Sequence, residues 1–281
     1  MVEHPSNLRN ITAEPNPTGL DAYKPSEIYA LVDRAGVQKA GLGLSQLLVL
    51  SILAGAFIAL GAAAFTMVMT GTDMCFGPAR FLGGIVFSLG LILVIVAGAE
   101  LFTGNALLAI AVVEKLVSPG QLLRNWTIVY IGNFAGAILI AGLVWASGLL
   151  NAGLGETAID IAESKAALGM TEAFARAILC NILVCLAVWL SLAARSAAGK
   201  VLAIIWPIAS FVLLGLEHSI ANMYFFPQAM LAGAGVDWTD FGQNLLIVTL
   251  GNIAGGAGGV ALAYRLAYRN SESKADIVND Q

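Results

Sequence analysis

The sequence predicts an all-α integral membrane protein with six transmembrane helices, of which the second and the fifth are broken. Two features of the composition carry the membrane assignment. Of the 281 residues, 58% are hydrophobic and only 11% are charged, whereas a soluble domain carries about 25% charged residues. The mean hydropathy of +0.83 agrees. A third observation, a repeated motif, predicts that the six helices form two inverted three-helix repeats.

Six segments are long and apolar enough to cross a bilayer, because a hydrocarbon core about 30 Å thick needs roughly 20 helical residues. They cover residues 44–70, 81–113, 125–150, 171–194, 200–231 and 243–268. The second and the fifth are too long for one span, and glycines and polar residues interrupt them at 98–105 and 215–222. The transmembrane domain therefore extends over residues 41–269.

Polar segments flank this domain. Residues 1–40 are predicted to be a polar N-terminal segment that contains a short amphipathic interfacial helix at 26–39, capped by Ser26. Residues 270–281 are predicted to be a polar C-terminal tail. The interfacial helix follows from apolar residues at helical spacing, which would lie against the membrane surface.

The distribution of lysine and arginine predicts the orientation in the cell membrane. Eleven of these residues lie in the N-terminus, in the loops at 114–124 and 195–200, and in the C-terminus, while Arg80, Lys165 and Arg176 lie on the opposite side. Because basic residues concentrate on the cytoplasmic side, both termini are predicted to be cytoplasmic. The net charge of −4 and the scattered basic residues argue against nucleic acid as a partner.

Cysteine and histidine are too few for a membrane-embedded redox or metal enzyme. Cys75, Cys180 and Cys185 form no CxxC pair, and His4 and His218 are the only histidines. A haem or metal centre at membrane depth typically needs several such ligands. The sequence thus predicts no cofactor, no metal site and no enzymatic activity, and an electron-carrying subunit is the disfavoured alternative.

A repeated pattern links the two interruptions. The pattern Gly-x-Glu-x4-Asn at 98–105 recurs at 215–222, 117 positions later, and the stretch 125–136 recurs at 244–255 with an offset of 119. Because each unit contains three spans, the second unit must lie inverted relative to the first. Inverted repeats with a broken helix in each half indicate a transport path at the bilayer midplane.

Both interruptions carry ionisable residues, namely Glu100, Glu217 and His218, and ionisable residues inside a membrane are functional candidates. For the two glutamates we favour a structural role, in which each accepts hydrogen bonds from its own break. For His218 we favour a functional role. Leu101 stands at the corresponding position of the first repeat, so the symmetry of the scaffold does not require a histidine.

Three ordered motifs resemble the formate/nitrite transporter family, which also includes hydrosulfide channels. They lie at 97–104 (AGAELFTG), 180–187 (CNILVCLA) and 215–223 (GLEHSIANM), and the resemblance extends over residues 26–268. One departure is Glu100, where some formate channels carry aspartate. The resemblance implies a homopentamer with a pore in each protomer and an aquaporin-like fold, although the aquaporin motif Asn-Pro-Ala is missing.

The resemblance also implies roles for individual residues. His218 is expected to be the central pore histidine, Thr103 the hydroxyl on the loop of the first break, and Lys165 a vestibule lysine on the outer side. The remaining implied pore residues are Asn181, Glu217 and Asn222, and the apolar constrictions are expected from Phe87, Leu91, Leu101, Phe102 and Phe211. Without the family, the apolar residues would be ordinary packing residues, and Lys165 a solvated lysine in a polar loop at 156–171.

The function implied by the resemblance is passage of a small monovalent anion across the lipid bilayer, with or without a proton. We rank formate first and nitrite second, with hydrosulfide, acetate and lactate as alternatives. Between two apolar constrictions, formate would be protonated, either by His218 itself or by a proton that is relayed through His218 or water. Thr103 would form a hydrogen bond with the oxygens of the formate. A neutral-solute pore for water or ammonia is the alternative of another class, disfavoured by the missing aquaporin motif and by the single pore histidine.

Overall fold

The structure is a computed structural model that describes residues 22–151 and 153–268. Most of the predicted N-terminal segment and the predicted tail at 270–281 lie outside the described residues. The described helices used below are α1 (Pro25–Ala40), α2 (Leu44–Met69), α3 (Phe76–Gly98), α4 (Gly104–Val113), α5 (Pro119–Ala146), α6 (Leu154–Ala166), α7 (Met170–Ala193), α8 (Ala197–Leu213), α9 (Ser219–Leu231) and α10 (Trp238–Tyr268).

Among the described residues, five helices are long and apolar enough to cross a membrane: α2, α3, α5, α7 and α10. This confirms an all-helical, multi-pass membrane protein. The first and fourth predicted spans agree with α2 and α7 to within one residue at each end, whereas α3, α5 and α10 begin five or six residues earlier than predicted. Ser118 and Asp237 cap α5 and α10 before their apolar residues begin, so hydropathy alone misses the first turn.

The helical chain is broken at both predicted interruptions. α3 ends at Gly98 before α4 begins at Gly104, and α8 ends at Leu213 before α9 begins at Ser219. Gly98 has a φ of 87° and Gly215 a φ of 66°, left-handed conformations that glycine adopts without the steric penalty of a Cβ atom. The second break is shorter than predicted, because His218 caps α9 and thereby places Asn222 in the first turn of that helix.

Glycines allow pairs of helices to approach until their backbones touch. A Cβ atom on Gly136 of α5 would lie 2.0 Å from the carbonyl oxygen of Ile52 in α2, and one on Gly255 of α10 would lie 2.2 Å from that of Ile178 in α7. Real Cβ atoms cannot approach this closely. Small residues at such interfaces drive helix association in lipid through close packing.

The predicted polar loop at 156–171 is wrong, because most of it belongs to helix α6. Leu154, Ala158 and Ala162 are buried and recur every fourth residue, so they form one apolar face of a helix. Lys165 lies in the last turn of α6, where a cation interacts favourably with the helix dipole.

The predicted cap of the N-terminal amphipathic helix is also wrong, although the helix itself is present as α1. The helix begins at Pro25, before Ser26, and the Lys24 N–H donates a hydrogen bond to Glu27 Oε2 at 2.7 Å. Proline suits the first helical position because its missing N–H would have no partner there in any case. Ser26 therefore lies inside the first turn.

Candidate functional site

The two breaks meet at Thr103 and His218. Thr103 Oγ1 lies 2.9 Å from His218 Nε2, although 115 residues separate the two along the chain. His218 also caps α9, because its Nδ1 accepts a hydrogen bond from the Ala221 N–H at 3.1 Å. Both side chains are buried, with 0% and 2% of their surface exposed. The fold thus brings together His218 and Thr103, to which the family resemblance assigns roles in the pore.

The helix cap assigns the tautomer of His218. In a neutral imidazole one ring nitrogen donates and the other accepts, and Nδ1 is the acceptor for the Ala221 N–H. Nε2 then carries the proton and donates it to Thr103 Oγ1. The hydroxyl hydrogen of Thr103 is consequently left for a further acceptor, so an anion beside this pair would meet the hydroxyl as a donor.

Glu217 lies at the centre of a buried cluster formed by Lys165, Glu217, Asn222 and Asn244, here called the Glu217 cluster. Lys165 Nζ lies 2.8 Å from Glu217 Oε1, and Asn222 Nδ2 donates to Glu217 Oε2 at 2.7 Å. Asn222 Nδ2 also donates to Asn244 Oδ1 at 2.7 Å. Both carboxylate oxygens are therefore engaged, which supports the predicted structural role of this glutamate next to His218.

The first break carries a matching cluster of Lys39, Glu100, Asn105 and Asn125, here called the Glu100 cluster. Lys39 Nζ lies 2.7 Å from Glu100 Oε1, and Asn105 Nδ2 donates to Glu100 Oε2 at 2.8 Å and to Asn125 Oδ1 at 2.9 Å. The four residue types and their bonding pattern are the same as in the Glu217 cluster. A buried carboxylate is thus paired with a lysine at each break, as a buried charge requires.

Two further asparagines hold the backbone of the breaks. Asn133 of α5 accepts the Phe102 N–H at 2.9 Å and donates to the Glu100 carbonyl at 2.9 Å. Asn252 of α10 accepts the Ser219 N–H at 2.9 Å and donates to the Glu217 carbonyl at 3.0 Å. Backbone groups freed by a helix break at membrane depth need such partners, since no lipid atom can supply them.

The polar residue Asn181 of α7 is buried beside the first break. Its Nδ2 donates to the carbonyl oxygens of Thr103, at 3.2 Å, and of Asn252, at 2.6 Å. Asn181 Oδ1 has no partner among the described residues. Asn181 therefore ties the backbone of Thr103 to α10, and it retains an acceptor next to the Thr103–His218 pair.

Two cavities approach this pair from opposite ends of α2. One, of about 390 Å³, is lined by Phe65 and Met69 from the end of α2 and reaches Lys165, Glu217 and His218; it is called the Lys165 vestibule. The other, of about 440 Å³, is lined by Leu42, just before α2, and by Leu50 in its second turn, and it reaches Lys39 and Glu100; it is called the Lys39 vestibule. His218 lines the Lys165 vestibule, and Gly104, the residue after Thr103, lines the Lys39 vestibule, so the Thr103–His218 pair lies between the two cavities.

Apolar side chains separate the two vestibules. Phe87 and Phe211 line the Lys165 vestibule and pack edge to face with ring centroids 5.3 Å apart. Leu91 and Leu101 line the Lys39 vestibule. Phe102 differs from the other predicted constriction residues: its ring packs against Tyr130, at a centroid distance of 4.9 Å, and it borders neither vestibule.

The sequence analysis did not single out several residues that build the site. Asn125, Asn133, Asn244 and Asn252 all lie in the repeated stretches, so their recurrence 119 positions apart was the available signal. Lys39 precedes Lys165 by 126 positions, an offset that differs from the 117 and 119 positions of the two repeated stretches. Arg80 and Arg176, which line the Lys165 vestibule, carried no repeat signal.

A multi-pass helical protein with two vestibules that converge on a buried polar pair is the architecture of a channel or transporter. The family described as formate/nitrite transporter matches residues 26–266. The chain belongs to this family, which confirms the resemblance read from the three motifs. Members of the family are channels and transporters and not enzymes.

Individual relatives and solved structures agree with this assignment. The uncharacterized transporter YrhG of Bacillus subtilis (strain 168) is 42% identical over 258 residues, covering 89% of this chain and 95% of the relative. The formate channel FocA of Escherichia coli (strain K12) is 38% identical over 271 residues, covering 88% of this chain and 95% of the relative. The fold matches a pentameric formate channel with formate bound, with a TM-score of 0.74 and 39% identity, covering 80% of this chain and 97% of that one. It also matches an FNT family ion channel, with a TM-score of 0.80 and 30% identity, covering 86% of this chain and 99% of that one.

We expect Lys165→Ala to destabilise the protein as well as to lower anion flux. Glu217 is 2% exposed and its Oε1 would lose its counter-ion, and removing one partner of a buried pair typically costs about 3–5 kcal/mol. Thermal unfolding in detergent should occur at a lower temperature than in wild type. Lys165→Met with Glu217→Gln, which removes both charges, should recover part of the loss.

The predicted anion-gathering role of Lys165 has a separate readout. A cationic vestibule raises the local anion concentration, and salt screens this effect. The loss of flux should therefore be largest at low substrate and low ionic strength. A variant that matches wild type under those conditions would leave Lys165 with the structural role alone.

Proposed function

We propose that this protein is a membrane channel for small monovalent anions and that formate is its main substrate, moved with or without a proton through a pore in each protomer. The Thr103–His218 pair carries this proposal, because it lies buried between two vestibules and leaves a hydroxyl hydrogen for an anion. Relatives named as formate channels support formate. Nitrite is the second candidate, and hydrosulfide, acetate and lactate are further alternatives within the family.

The proposed architecture consists of two inverted three-helix units that give six transmembrane helices. In the first unit α3 and α4 form one broken helix, and in the second α8 and α9 form the other. The matching Glu100 and Glu217 clusters support this duplication, since the same residue types make the same bonds in both halves. We further propose an aquaporin-like protomer in a homopentamer, in line with the pentameric channel that the fold matches.

The proposed orientation places both termini in the cytoplasm. The Lys165 vestibule then opens to the outside and the Lys39 vestibule to the cytoplasm. The support is the excess of basic residues on the side of the termini. A cysteine-accessibility measurement at the exposed native Cys75, which precedes α3 at the Lys165 end, would test it: labelling of intact cells by an impermeant reagent is expected.

Passage would begin when an anion enters a vestibule and reaches the apolar side chains. A bare charge is costly there, whereas the neutral acid is not. Thr103 would donate its hydroxyl hydrogen to one oxygen of the anion. The proton would come from water, or from His218 Nε2 if Nδ1 takes up a proton from water at the same time. That second route interrupts the hydrogen bond from the Ala221 N–H, so it would transiently uncap α9.

The experiment that tests this proposal measures solute fluxes in proteoliposomes that contain the purified protein. Formate influx driven by a gradient should exceed chloride and lactate influx, and it should increase when the side supplying formate is acidified. Osmotic water flux provides the control for the other class of function. If water flux is raised by the protein and formate flux is not, the protein is a neutral-solute pore and the proposal fails.

We expect Phe87→Ala or Phe211→Ala to increase leak and loosen selectivity. The two rings lie against each other and border the Lys165 vestibule, so truncating either would open the apolar barrier to water and hydrated anions. The ratio of formate to chloride influx should fall in both variants. Phe81→Ala is the matched control, because Phe81 is on the same helix but stacks on Trp206. Unchanged ratios in both vestibule variants would count against the constriction.

A further inference from the structure

A pair of arginines in the Lys165 vestibule has no role in the pathway proposed above. Arg80 of α3 and Arg176 of α7 both line this cavity. A Cβ atom built on Gly215 would lie 3.4 Å from Arg80 Nη2 and 3.6 Å from Arg176 Nη1. The two guanidinium groups therefore converge on one glycine at the second break, two and three residues before Glu217 and His218.

Both arginines have donor capacity left over after their contacts with the protein. Arg80 Nε donates to the Val212 carbonyl at 3.2 Å, and Arg176 Nη1 donates to the Gly215 carbonyl at 3.1 Å. Arg176 Nη2 also binds Glu172. Arg80 forms no ion pair with any described residue, although its guanidinium lies over the Phe76 ring. A guanidinium has five N–H donors, so several remain for a ligand.

The simplest alternative is that the arginines only cap the carbonyl end of α8, where cations are favoured by the helix dipole. The other half of the molecule argues against this reading. α3 ends at Gly98, which has a positive φ like Gly215 just beyond the end of α8, yet a Cβ atom on Gly98 would find no atom within 4 Å. α2 and α7 correspond at an offset of 126 residues, because Gly136 packs on Ile52 as Gly255 packs on Ile178, and the position that corresponds to Arg176 is therefore Leu50. The fold therefore completes this helix end without an arginine.

The charges around the pair favour an anion. Lys165 also lines the vestibule, but Glu217 already engages its Nζ. Asp160 lines the same cavity from α6 and is exposed. Two guanidinium groups that lie beside the same glycine repel each other, and a negative charge between them relieves this repulsion. A planar anion with two oxygens suits the site in addition, because it can accept two N–H hydrogen bonds at once.

We propose that Arg80 and Arg176 form an anion-loading site in the Lys165 vestibule that selects planar anions with two oxygens, such as carboxylate or nitrite, before they reach the apolar barrier. This inference rests on the proposed function, because it assumes that such an anion passes the pore. It adds a selection step on one side of the membrane, since the Lys39 vestibule is lined by no arginine among the described residues.

The test compares formate influx into proteoliposomes with a single, verified orientation of the channel. With formate supplied on the Lys165 side, we expect Arg176→Gln and Arg80→Gln to raise the half-saturating concentration about tenfold and to change the maximal flux less than twofold. Formate supplied on the Lys39 side should show no such shift. Arg176→Lys retains the charge but lacks the planar fork that binds two oxygens, so it should still show most of the shift; a half-saturating concentration equal to that of wild type would overturn the selection of two-oxygen anions.

Arg124→Gln is the matched control. Arg124 also donates to a backbone carbonyl, that of Leu42 at 3.2 Å, but it lines neither vestibule, so its kinetics should equal those of wild type. Half-saturating concentrations within twofold of wild type in both glutamine variants would overturn the loading site, as would a fall in thermal stability without a shift in that concentration. Flux through the wild-type protein distinguishes a failure of the loading site from a failure of the proposed function. If it passes neither formate nor nitrite, the proposed function fails.

Discussion

Replacing His218 with phenylalanine should lower formate flux about fivefold and flatten its dependence on pH. Phenylalanine retains an aromatic ring next to Phe211, whose ring lies 5.9 Å from that of His218, but it removes the Nε2–H that orients Thr103. A lost hydrogen bond is worth ~1 kcal/mol, and 1.4 kcal/mol corresponds to a tenfold change. The measurement is formate influx and efflux in proteoliposomes over a range of pH values.

A second variant separates the chemistry of His218 from its structural role. His218 caps α9, and losing a cap costs about 1 kcal/mol in stability. Asparagine is a favoured cap residue, so His218→Asn should retain thermal stability while still losing the pH dependence. If His218→Phe keeps the wild-type pH dependence of formate flux in both directions, His218 is not the coupling element, and the proton comes from water.

The second large effect concerns folding. We expect Gly136→Ala to abolish or strongly reduce the yield of folded protein, although it adds only one methyl group. The new Cβ would lie 2.0 Å from the Ile52 carbonyl oxygen and 2.7 Å from the Ala56 nitrogen. Both are backbone atoms of α2 that cannot rotate away, so α2 and α5 must separate, and overpacking typically costs about 1–3 kcal/mol even where side chains can adjust. Size-exclusion profiles and thermal unfolding in detergent provide the readout.

Gly142 in the same helix is the matched control, because a Cβ atom there would meet nothing within 4 Å. Gly142→Ala should equal or slightly exceed wild type in stability, since alanine is favoured over glycine in a helix interior by roughly 0.5–1 kcal/mol. Gly255→Ala should behave like Gly136→Ala, because its Cβ would meet the Ile178 carbonyl oxygen of α7. Normal yields for Gly136→Ala would show that these helices tolerate a wider separation.

The two lysine–glutamate pairs explain how the site can contain carboxylates and still admit an anion. Each glutamate uses one oxygen for a lysine and the other for an asparagine. The negative charge is therefore neutralised within each cluster, and the Thr103 hydroxyl is the group presented next to the apolar barrier. In the proposed mechanism, the clusters shape the breaks, and the Thr103–His218 pair together with the vestibule cations meets the substrate.

The sequence by itself determined the membrane class, the positions of the two breaks and the family. These features are local, because hydropathy, glycine spacing and an ordered motif are properties of contiguous residues. The recurrence of Glu100 as Glu217 and of Asn105 as Asn222 was also visible in the sequence. It led to a structural role for both glutamates, which the hydrogen bonds of the two clusters support.

Only the tertiary structure decided which side chains meet. The hydrogen bond between His218 and Thr103 joins residues 115 positions apart, and Lys39 reaches Glu100 across 61 positions. Arg80 and Arg176 converge on Gly215 from two different helices, and the ring of Phe102 packs beside Tyr130 instead of lining a vestibule. Such partners depend on how closely and in which rotation the helices pack, and this is set by backbone contacts at glycines that hydropathy does not register.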